Sequence, residues 1–114
     1  MSLNRNQLID RFIGNLSNAI VHKILERAIK SNLEISEKYK KEIINSWGIA
    51  VSYREKINPS ESPLPEKDIE LIRERVIRRI KSELNSRISL GYNNIELSSV
   101  EKEIDDALKK VNIV

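Results

Sequence analysis

Apolar residues recur along this chain at intervals of three and four, the period of an amphipathic helix, in four successive stretches. The first runs from about Asn4 to Lys30. Its opening half places Ile9, Phe12, Ile13, Leu16 and Ile20 on one face, and its closing half uses Val21, Ile24, Leu25, Ala28 and Ile29. At about 100° per residue the second set is turned by roughly a quarter revolution from the first. Gly14, Asn15, Ser17 and Asn18 lie between the two sets, and all are middling or poor helix formers. The pattern therefore predicts either a bend there or a straight helix whose halves bury against different neighbours.

The second stretch starts at Ser36, an N-cap residue type with Glu37 in the first turn. Its stripe is Tyr39, Ile43, Trp47, Ala50 and Val51, which predicts Trp47 at the centre of the core, with Gly48 on the opposite side. Pro59 ends it, and the segment 58–65 is a short, stiff connection inside one domain. The third stretch starts at Ser62 or Leu64, ends near Leu90, and carries Ile69, Ile72, Val76, Ile80 and Leu84 on one face. Gly91 follows as a left-handed C′ residue. A hairpin over Ile88 to Leu97 is the competing reading. The fourth stretch opens with Ser98-Ser99-Val100-Glu101, a capping-box pattern, and carries Val100, Ile104, Ala107, Leu108 and Val111. Asp105 and Asp106 are expected to face outward. The fold class expected is all-α: a single domain over residues 1–114, a bundle of four main helices with the first and third longest.

Composition sharpens this picture in a few places. Aromatic residues make up 4% of the chain, so the core is expected to be aliphatic. Charged residues reach 32%, yet the periodic apolar positions argue against disorder. No cysteine is present, which rules out disulfides and thiolate chemistry and fits the cytoplasm. No apolar run approaches the roughly 20 residues of a membrane span, and the N-terminus lacks a signal-peptide pattern, so no membrane association is expected.

Candidate chemistry is sparse. His22 is the single histidine and stands in no catalytic motif, so an exposed or partly buried surface position is its expected role. Glu101, Glu103, Asp105 and Asp106 are dense but match no calcium loop, and no phosphate-binding glycine loop exists. No catalytic residue, cofactor, metal or small-molecule substrate is expected.

The feature with functional content is a basic stripe on the third helix, Arg75, Arg78 and Arg79, followed by Ser82, Asn85 and Ser86. Arginine forks suit phosphate oxygens, and small neighbours permit close approach. Glu74 before Arg78 and Glu83 after Arg79 have the spacing of intrahelical ion pairs instead. Arg54, Arg73 and Arg87 lie near the apolar stripes and are expected at the rim of the core or under a partner, and Leu71 is a further outward-facing contact candidate. The leading functional expectation is a non-enzymatic helical interaction module, self-associating or a subunit of a larger complex, with the first or third helix at the interface. The second reading is a nucleic-acid-binding or nucleoprotein subunit using Arg75, Arg78 and Arg79.

Overall fold

In the computed structural model, which describes residues 3–28, 32–58, 64–91, 95 and 97–111, four α-helices account for the four apolar stretches. They are α1 (Arg5–Ala28), α2 (Leu33–Ile57), α3 (Glu66–Ser89) and α4 (Val100–Lys110). Their lengths are 24, 25, 24 and 11 residues, so three long helices form the bundle and a short one completes it. Among the described residues there is no strand, and the competing hairpin has no counterpart there.

Each helix start has a local cause. Asn4 caps α1 through its Oδ1, which accepts from the Gln7 amide at 2.9 Å, and Gln7 Oε1 accepts from the Asn4 amide at 3.0 Å. This is the reciprocal capping box expected at Ser98 to Glu101, found instead at the other end of the chain. At α4 the box does not form: a single 3-10 turn over Leu97–Ser99 leads into the helix, and Ser99 has right-handed helical backbone angles and makes no side-chain capping bond. Helix α2 starts one turn earlier than the Ser36 cap would place it. Asn32 is the cap, its Oδ1 accepting from the Ile35 amide at 3.2 Å. Ser36 is instead buried within the helix, and its hydroxyl donates to Glu26 Oε1 of α1 at 2.8 Å. Asn and Ser are comparable caps, so the tie is broken by the α1 carboxylate that takes the Ser36 hydroxyl. Helix α3 begins after Pro65 and ends before Gly91, whose φ of +99° is the left-handed conformation expected of it. Ser62 and most of the 58–65 connection lie outside the described residues.

Helix α1 is continuous through Gly14 to Asn18 and lies at the centre of the bundle. Helix α2 runs antiparallel to it, as Arg11 meets Tyr53 and His22 meets Glu42. Helix α3 runs parallel to α1, because Arg5 pairs with Asp68 and Asp10 with Arg75, further along both helices. Helix α4 returns antiparallel to α3, with Arg73 on Asp105 and Lys81 near Glu101. Both apolar faces of α1 are covered within this one chain. Val21 is 4% exposed and Leu25 0%, while Ile29 lies outside the described residues. The two rotated faces therefore do not require a second subunit at α1, and the expectation that α1 forms an interface loses its ground.

Arg54 corrects another expectation. It is 2% exposed, well inside the rim position expected for it. Its Nε donates to the Val111 carbonyl at 3.0 Å, and Nη1 donates to Asn58 Oδ1. The Val111 carbonyl lies at the C-cap of α4, where helix carbonyls lack intrahelical partners, so Arg54 fastens the ends of α2 and α4 together. Arg54→Ala is expected to cost about 2–3 kcal/mol, the loss of a buried charge-assisted hydrogen bond. Chemical denaturation measures this, and Arg54→Lys, which keeps the charge without the fork, should recover less than half of it.

Candidate interaction groove

Helices α2 and α4 both lean on α1 but do not close over it along their middle sections. Between them lies a groove of about 560 Å³, floored by Ala19, Ile20 and Lys23 of α1. One wall is Ile43, Ile44, Trp47 and Gly48 of α2, and the other is Glu103, Asp106, Ala107 and Lys110 of α4. The groove is thus apolar at its floor and α2 wall, with a charged α4 rim. Trp47 is half-buried on that wall and not at the centre of the core. The residues α2 buries are Ser36, Tyr39, Ala50 and Arg54. Ile43 is likewise half-buried and Ile44 is 75% exposed, so much of the α2 apolar stripe faces the groove or water.

The charged rim is tied to the bundle rather than to a ligand. Lys23 Nζ lies 3.4 Å from Glu103 Oε2, and Arg27 Nη2 lies 2.5 Å from Glu103 Oε1. Burial alone would raise the Glu103 pKa, but the Arg27 hydrogen bond and the two nearby cations hold it below the usual range. Asp105, expected to face outward, is half-buried against Arg73, whose Nε donates to Oδ1 at 2.8 Å. That hydrogen bond holds the Asp105 carboxyl below its ordinary value. The acidic residues of α4 are thus divided between α1, α3 and the groove. Asp106 is the one of this set that lines the groove without an ion pair among the described residues.

The basic stripe is drawn into the fold in the same way. Arg75 Nη1 donates to Asp10 Oδ1 of α1 at 2.7 Å. Arg78 Nη2 donates to Glu74 at 2.6 Å, the intrahelical pair expected from the spacing. Arg79 lies across Gly14, its guanidinium about 3.8 Å from where a Gly14 Cβ would stand, rather than on Glu83. Leu71 is 45% exposed on the same helix. The four residues share α3 but not the groove, which the sequence reading missed. The signal for it was the Ile43-Ile44 pair beside Trp47, which widens the apolar arc of α2 beyond the Tyr39 stripe.

His22 is half-buried between helices, one of the two positions expected of it. Its ring stacks on Tyr39 with centroids 5.6 Å apart, Nε2 lies 3.1 Å from Glu42, and Nδ1 is buried without a hydrogen-bond partner. Burial lowers its pKa below the ordinary 6.5, with Glu42 acting in the opposite sense. The unfolded chain therefore binds this proton more readily than the folded one. The His22 contribution is fully present above pH 6.5 and declines as the pH falls below that value. Thermal melts at neutral and mildly acidic pH should show this decline in the native chain and a smaller one in His22→Gln. Trp47→Ala is expected to cost about 2 kcal/mol, less than removal of a fully buried tryptophan, as read by denaturant unfolding.

Among the described residues no helix is long and apolar enough to cross a membrane. No protein-family model, no curated protein and no solved structure matches this chain.

Proposed function

We propose that this protein is a non-enzymatic helical interaction module, working in the cytoplasm, whose docking surface is the apolar side of α2 and the groove beside it. The observation that carries this is the uneven burial of α2. Of the four residues that α2 buries only Tyr39 and Ala50 are apolar, whereas all four that α3 buries are, and Ile43, Trp47 and the 75% exposed Ile44 of α2 line an open groove. Scattered exposed apolar residues are ordinary, but a contiguous set along a groove is what a helix-in-groove contact uses. The nucleic-acid reading is weaker on the same geometry. Two of its three arginines have carboxylate partners, so less of their charge is available to phosphate.

The test is a photo-crosslinking amino acid placed at Ile44, with a control at Glu70, an exposed position on α3. Irradiation in cells that express the protein should give higher-mass adducts from Ile44 and few from Glu70. Equal yields at both sites, or none at Ile44, would overturn the assignment of this surface.

A further inference from the structure

Gly48 sits in the middle of α2, where glycine weakens a helix relative to alanine. Among the described residues no packing contact explains it: apart from the helix's own neighbouring backbone, no atom lies within 4 Å of the position a Cβ would occupy. The space is part of a larger relief. A second depression of about 340 Å³, lined by Asn45, Ile49, Ser52 and Tyr53 among others, also reaches Ile44 and Gly48. Those two residues therefore border both hollows, and the bare Gly48 backbone connects them.

Around Gly48 the exposed face of α2 is arranged symmetrically. Lys41, Ile44, Gly48, Ser52 and Glu55 are all exposed and are spaced three, four, four and three residues apart. At about 100° per residue they fall within roughly 40° of the Gly48 direction, a single narrow stripe. The stripe has apolar Ile44 one turn before the glycine and small Ser52 one turn after it. It has a cation two turns before and an anion two turns after.

We propose that this face is covered by a second copy of the chain, two α2 helices crossing antiparallel at Gly48; the proposal rests on the reading of α2 as the docking surface and names its partner. A two-fold contact places residue i of one copy against j of the other and j against i. With the axis beside Gly48, Lys41 meets Glu55 of the partner subunit, and the same pair forms again at the other end. Ile44 packs against Val51 and Ser52 of the partner subunit, where the small serine leaves room. The absent side chain at Gly48 lets the two backbones approach. A parallel pairing would set Lys41 against its own copy and Glu55 against its own copy, and like charges disfavour it.

The experiment is sedimentation of the full-length chain across the micromolar range, on the native protein and on charge-swapped variants. The native chain is expected to show a concentration-dependent dimer mass. Lys41→Glu and Glu55→Lys should each weaken the dimer by about tenfold or more, and the double variant should return to within a few-fold of the native constant. Gly48→Ala should raise the melting temperature measured under monomeric conditions yet weaken the dimer, a pair of opposite effects that a purely structural glycine would not give. Circular dichroism confirms that each variant, altered at exposed positions, remains folded. A monomer at every concentration, or single variants whose defects add in the double variant, would overturn the second-copy proposal. If the chain is monomeric while Ile44 still forms crosslinks to a different protein, the proposal fails and the interaction-module reading stands. If the chain is monomeric and Ile44 gives no crosslinks, both fail.

Discussion

Helix α1 carries apolar residues on two faces a quarter turn apart, and both faces must leave water for the chain to fold. Phe12, Leu16 and Leu25 are each 0% exposed, and fully burying side chains of this size is worth about 1.5–3 kcal/mol apiece. One neighbouring helix cannot cover so wide an arc. The bundle therefore gathers around α1: α2 on one side, α3 on another, and α4 against the edge that remains. The parallel run of α1 and α3 and the antiparallel return of α4 are how one chain supplies three walls to a single central helix.

That demand leaves the outer helices unequally covered. Helix α3 has a compact stripe, Ile72, Val76, Ile80 and Leu84, each 0% exposed, and turns a largely polar surface outward in which Leu71 and Ile88 are separate apolar exposures. Helix α2 carries more apolar surface than its contact with α1 absorbs. At 11 residues, α4 is too short to span a 25-residue helix, and it is held at the far end by Arg54 on the Val111 carbonyl. Along the section where they run side by side, α2 and α4 stay apart, and the groove over Ala19 and Ile20 lies between them. The interaction reading thus grows from the same constraint that shapes the fold, because the surplus of apolar surface faces the space left between α2 and α4.

Charge completes the arrangement by joining the same helices at the edges of their apolar contacts. Asp68 takes Arg5, Asp10 takes Arg75, and Glu103 takes Lys23 and Arg27, so pairs bridge α1 to α3 and α1 to α4. Most are partly exposed, and pairs of that kind contribute little to stability. Their use is in register: each fixes the axial position of one helix against the next. Arg75 and Arg78 illustrate the consequence, since two residues of what looks like a phosphate stripe along α3 become partners of carboxylates from α1 and from the preceding turn.

The sequence alone determined the helical class, the four elements and most of the core, because a three-four period is local and each stripe can be read without knowing its neighbour. Gly91 was legible for the same reason, as its left-handed angle belongs to one residue. What lay between elements was not legible. Ser36 was readable as a cap, but Glu26 of α1 claims its hydroxyl and Asn32 caps instead. Arg54 read as a rim residue because only the arrival of the α4 C-terminus supplies the carbonyl that lets it be buried. Trp47 shared the Tyr39 stripe, yet its burial depended on how closely α4 approached α2, and α4 runs beside it across an open groove. Periodicity states which side of a helix is apolar. Only the tertiary structure, through the placement of the neighbours, decided how much of that side is covered.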